Sequence, residues 1–177
     1  MKIEAGLGLL LVASLAACGQ EKDDIRLQEV ACPSVAVPAY GGELVQWAGQ
    51  GHDLSNLAYR IKVSDAEGSC TRKSNNNNLF TKIAVTIDAT RGPAMQGRDI
   101  AAQYFVAVVR QGQIIDEQTY AVAGSFAPNT DHLTIPNKPV TMTLPISSTL
   151  AGSDYSIEVF MQLTQAQIDE NRALSQQ

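Results

Sequence analysis

Two histidines, three cysteines and a scatter of carboxylates are the side chains of this 177-residue chain best suited to chemistry. A histidine beside a carboxylate can act as a general base, because the carboxylate orients the ring and stabilises its proton. His52 precedes Asp53 just after Gly49-Gln50-Gly51, and His132 follows Asp131 in a polar stretch. Neither comes with a G-x-S-x-G nucleophile elbow. The chain also lacks H-E-x-x-H, C-x-x-C and calcium-loop patterns. Both histidines are therefore read as solvated loop residues. The glycine stretch leads into no Lys-Ser/Thr pair and no helix start, so it reads as a loop breaker and not as a phosphate cradle. Tyr104-Phe105 could stack on a ligand, but strand alternation would bury at least one ring in the core. Asp23-Asp24 and Asp116-Glu117 read as solvated carboxylates. No catalytic residue, metal site or cofactor is assigned, and the chain is expected to be non-enzymatic.

The cysteines carry a different chemistry. Lys2 and the free amine form a weakly positive start, followed by a small and apolar run over residues 5–15. At about 11 residues the run is too short to span a bilayer but has the length of a secretory signal core. Leu15-Ala16-Ala17-Cys18 follows. This tetrapeptide resembles the bacterial lipobox. The resemblance implies cleavage between Ala17 and Cys18, a diacylglycerol thioether on the Cys18 sulfur and a further acyl chain on the new amine. Each buried CH₂ contributes about 0.8 kcal/mol, and stable anchoring takes more than one chain. Gly19, where the enterobacterial sorting rule would place Asp for inner-membrane retention, points to the periplasmic face of the outer membrane. Residues 18–28 then read as a polar lipidated tether that keeps the folded part close to the membrane.

Lipidation consumes Cys18 and leaves Cys32 and Cys70. An exported chain meets an oxidising compartment, so these two are expected to pair. Such a bridge closes a loop of about 38 residues, worth roughly 3–4 kcal/mol by chain entropy. Two free thiols or a metal pair are the alternatives, though no His or Cys stands at ligand spacing from them.

Composition narrows the rest. Hydrophobic residues make up 45% and charged residues 18%, ordinary for one globular domain and too apolar for a disordered chain. Thirteen Lys and Arg against 18 Asp and Glu give a net charge of -5. That balance argues against nucleic acid, which demands clustered cations.

The elements that would position these side chains are mostly strands. Residues 30–37 form a short edge or entry strand because of Pro33. Residues 57–63 alternate, with Leu57, Tyr59, Ile61 and Val63 on one face; residues 65–68 then turn the chain. Asn75 to Asn78 form a polar loop. Residues 79–89 resume alternation through Ile83, Val85 and Ile87. Arg91-Gly92-Pro93 breaks it, and residues 94–102 read as irregular or one helical turn. Residues 103–109 and 114–122 form a hairpin about Arg110-Gln111-Gly112-Gln113. Residues 140–146 and 155–163 alternate again, Phe160 interrupting the polar face. Thr164 and Gln167 match a capping box for a surface helix ending near Leu174.

Residues 29–177 are thus expected to fold as one all-β domain, an antiparallel β-sandwich of immunoglobulin-like architecture with about seven strands and a short C-terminal helix. A small closed barrel is the alternative. Trp47 follows Cys32 by about 15 residues, as in immunoglobulin domains, but Cys70 comes too early for their disulfide.

Leu15-Ala16-Ala17-Cys18, Cys32-Pro33, Cys70, Arg91-Gly92-Pro93, residues 104–108 and the closing stretch from Gln162 to Arg172 together resemble a group of alphaproteobacterial lipoproteins. The likeness covers most of the mature chain and implies an envelope location; it carries no activity. The expected function is a lipid-anchored, non-catalytic binding module that meets the membrane through its lipid and an envelope protein through exposed sheet edges or loops. Two other readings are an envelope enzyme or small-ligand carrier and a structural surface protein. A concave pocket holding His52 or His132 with a carboxylate would favour the enzyme or carrier.

Overall fold

A computed structural model describes residues 31–72 and 77–175. The expected signal peptide, Cys18 with its expected cleavage site, the expected tether and residues 75 and 76 of the asparagine run lie outside the described residues. The described residues form an all-β sandwich of nine strands closed by one short helix. The first sheet contains β1 (Ser34–Ala36), β9 (Ser156–Met161), β5 (Asp99–Arg110) and β6 (Gln113–Ser125), in that order. The second orders β2 (Glu43–Trp47), β3 (Leu57–Arg72), β4 (Asn78–Arg91) and β7 (His132–Pro136), with β8 (Val140–Pro145) also on β4. β7 and β8 share the far edge of β4, one beside Thr86–Thr90 and the other beside Asn78–Ile83.

The expected antiparallel pairing holds except at β1, which runs parallel to β9. Two further strands, β2 and β7, raise the expected seven to nine. Both are five residues long, too short for alternation to stand out, and each gains stability from a long partner. His132, read as a loop residue, opens β7 opposite Thr90.

β3 shows the largest departure. The stretch 65–68 was expected to turn, but the strand continues for 16 residues. Its register on β4 slips between Val63 and Asp65. One extra residue reverses the side-chain alternation. Odd positions Ile61 and Val63 are buried before the slip, whereas Ala66 and Cys70 pack on the core after it. Gly68 permits this: a Cβ there would strike Val35 of β1 across the sandwich. Likewise, β5 begins at Asp99, inside the stretch expected to be irregular.

Alternation accounts for the core. Leu79, Ile83, Val85, Ile87 and Ala89 line the inner face of β4, and Tyr155, Ile157, Val159 and Met161 oppose them from β9 and its entry. Tyr104 is buried and stacks on Tyr120, their centroids 5.3 Å apart, while Phe105 points to the other face. There it stacks on Phe160 at 4.9 Å, so the apolar residue that breaks the polar face of β9 gains a partner on the outside of the sheet.

Cys32 and Cys70 form a disulfide, Cα to Cα 5.6 Å, across 38 positions. It ties the chain entering β1 to the far end of β3 and joins the two sheets. The helix α1 (Gln165–Leu174) begins with a reciprocal cap: Gln167 N–H donates to Thr164 Oγ1, and Thr164 N–H donates to Gln167 Oε1. α1 buries no residue fully. Among the described residues no helix is long and apolar enough to cross a membrane.

Candidate functional site

The clearest meeting of chemistry-bearing side chains lies between the end of β2 and α1. The β2–β3 register shifts between Gln46 and Trp47; a bulge of this kind re-aims the side chain that it carries. After Trp47 the chain turns through Gly49, which has a φ of 88°, and reaches His52. Asp53 then caps a 3₁₀ turn at Leu54–Asn56 by accepting from the backbone N–H groups of Ser55 and Asn56. The Ser55 hydroxyl donates to the same carboxylate, and these bonds hold the Asp53 pKa below its ordinary value.

This short loop lays the His52 ring on the Trp47 indole, planes 6° apart and centroids at 5.4 Å. Glu170 of α1 closes the triangle. Trp47 Nε1–H donates to Glu170 Oε1 at 2.8 Å, and His52 Nδ1 lies 3.1 Å from the same oxygen. The carboxylate is 20% exposed and the imidazole 61%. Asn171 donates to the carbonyls of Tyr40 and Glu43, and Arg172 lies over the Tyr40 ring at 5.5 Å. α1 is therefore held by directed polar contacts instead of a buried stripe.

Trp47, His52 and Glu170, with Gln46, Gln167 and Gly49, bound a hollow of about 320 Å³. A carboxylate on Nδ1 orients a histidine and leaves Nε2 to meet a ligand or proton. The stacked indole adds an apolar wall. His52 is thus exposed, as a loop residue should be, yet its ring is held in place. Glu170 was not singled out in the sequence, because 118 positions and the whole sandwich separate it from His52; no local pattern reports such a pairing.

His132 lies elsewhere, on β7. Its Nε2 is 3.8 Å from Asp88 Oδ1 of β4, and the Thr134 hydroxyl donates to that oxygen at 2.7 Å. The Thr134 bond, aided by Ser64 and the positive charges of His132 and Lys62, lowers the Asp88 pKa against a small cost of burial. This is a cross-strand surface pair, its imidazole open to solvent. Tyr104 and Tyr120 have raised pKa values, first because burial disfavours the phenolate. Asp116 and Glu117 are exposed, as expected of solvated carboxylates. A second, wider groove of about 570 Å³ runs over Ala101, Ala121 and Ala123 between Leu44 and Leu163, and its walls are mostly apolar. Among the described residues no group of three or more His, Cys, Asp or Glu side chains could hold a metal ion. Comparison with protein-family models, curated proteins and solved structures gives no match.

Proposed function

We propose that this chain is a lipid-anchored envelope protein, acylated at Cys18 and facing the periplasm from the outer membrane, whose domain is a non-catalytic binding module. One structural observation supports the reading. The chain enters the domain at one end of the sandwich, where Cys32 is bonded to Cys70, while the Trp47 hollow lies beside Leu57 at the other end of β3. The strand rise of about 3.3 Å per residue separates these ends by roughly 40 Å along β3. A tether at the first end would hold the hollow away from the bilayer, open to partners, and anchoring would raise its local concentration near other membrane proteins. Mass spectrometry of protein taken from membranes tests this reading. The expected product begins at Cys18 and carries fatty acids; a chain still beginning at Met1, or free of acyl groups, refutes it.

The His52–Glu170 pair favours a second reading, a small-ligand carrier or an enzyme that works in the same hollow. Native mass spectrometry of the purified protein separates the two: a co-purifying small molecule lost in Glu170→Ala would favour the second.

A further inference from the structure

The first sheet brings four positions into one row. Ser34 pairs with Ser156, Ser156 with Val109, and Val109 with Ile114. Three strand spacings of about 4.8 Å put Ile114 roughly 15 Å from the point where the chain enters β1. The tip of the β5–β6 hairpin therefore lies at the end of the domain where the tether arrives.

That tip is apolar where exposure would favour polar residues. Ile114 and Ile115 are 53% and 52% exposed. The register slip between Val108 and Val109 leaves Ile115 without a partner in the ladder. Gln111 and Gly112 make the turn with φ of 52° and 74°, a tight reversal that leaves a convex end. Residues 113–119 of β6 are all exposed, so this part of the strand overhangs the second sheet.

We infer that the β5–β6 tip is a second membrane contact, its two isoleucines dipping into the bilayer surface beneath the anchored domain. The inference rests on the proposed anchor at Cys18. From Cys18 to Ala31 the chain can span at most about 45 Å, so a lipid anchor confines this end of the domain to the membrane's neighbourhood. A convex apolar tip suits a fluid acyl layer. Asp116 and Glu117 follow at once and limit the depth to the boundary between headgroups and chains, where apolar side chains of peripheral proteins lie about 5–10 Å deep. Arg110 opposes Gln113 at the base of the turn and can meet lipid phosphates. With two acids against one cation, the contact is apolar and not coulombic, so added salt should leave it intact. Two contacts, one covalent and one apolar, would set the tilt of the sandwich and keep the Trp47 hollow turned outward.

Trp47 is the only tryptophan, which makes fluorescence the test. Acylated protein beginning at Cys18 and carrying Ile115→Trp is reconstituted into phosphatidylethanolamine–phosphatidylglycerol vesicles with brominated acyl chains. The added tryptophan is expected to lose about half its emission at an interfacial depth of about 5–10 Å, at low and high salt alike, while Trp47 in the parent protein keeps its emission. Equal emission of the added tryptophan in brominated and plain lipid, or quenching of Trp47, overturns the inference. Ile114→Trp serves as an independent reporter if Ile115→Trp fails to fold. Vesicle flotation distinguishes the two failures. Protein that floats without quenching refutes the tip contact alone; protein that is not acylated and does not float refutes the anchor, and the tip contact with it.

Discussion

Thr81 shows what a single atom does in this core. It is 1% exposed, and its hydroxyl has no hydrogen-bond partner among the described atoms. A buried hydroxyl left unpaired costs about 1–3 kcal/mol. Thr81→Val removes it at nearly constant shape and should raise stability by about 1 kcal/mol, read as a higher urea midpoint with an unchanged slope. Asp88 makes a pH prediction. Its folded pKa is depressed, chiefly by the Thr134 hydroxyl, so it adds stability above its unfolded pKa, and that stability is lost as pH falls through the folded value. The window lies below about pH 4. Thr134→Val should move the Asp88 carboxyl upward in an NMR titration and lessen the acid sensitivity; an unmoved carboxyl would contradict the assigned cause. At Glu170 the test is optical. Glu170→Ala should red-shift Trp47 emission as water replaces the carboxylate beside the indole, and should cost about 1 kcal/mol after discounting for exposure.

At the scale of elements, the β5–β6 turn departs from what its geometry favours. Two consecutive positive φ values are best supplied by Asn-Gly, and here Gln111 takes the first position. Gln111→Asn should therefore stabilise the hairpin by about 0.5–1 kcal/mol, measured by thermal denaturation. Gly112 supplies the second value without a Cβ penalty, which is why the hairpin was legible from Arg110-Gln111-Gly112-Gln113. The strands 79–89 and 155–163 were legible because long alternation has one physical explanation when one face is dry, and 103–109 because its run of aromatic and β-branched residues favours a strand. β2 and β7 were not, since five residues show too few repeats. Nor was the continuation of β3 through residues 65–68. Its composition favours a turn, and only pairing with Thr86 through Ile83 of β4 overrides that preference.

For the whole molecule, the disulfide and the polarity of the sandwich are the organising features. Cys70→Ser removes a cross-link over 38 residues and should destabilise the domain by roughly 3–4 kcal/mol on the chain-entropy account. A large fall in melting temperature is the expected readout, and an unchanged one would argue that the unfolded chain is already compact. The first sheet leaves β6, which carries the exposed isoleucines, as an open edge, and Leu133 and Ile135 of the second sheet come close to it at Gly124. The start of β1, the disulfide and the hairpin tip thus gather at one end, and the Trp47 hollow stands at the other.

The chain's own order of residues was enough for the all-β class, the pairing of Cys32 with Cys70 and the Thr164–Gln167 cap. These depend on alternation, on counting thiols and on contacts between near neighbours. The tertiary structure alone decided that Glu170 reaches His52 and Trp47, that β1 lies parallel to β9, and that Ile114 shares an end of the sandwich with the start of β1. Those relations join residues far apart in the chain, and they exist only once the packing of two sheets has chosen which distant surfaces meet.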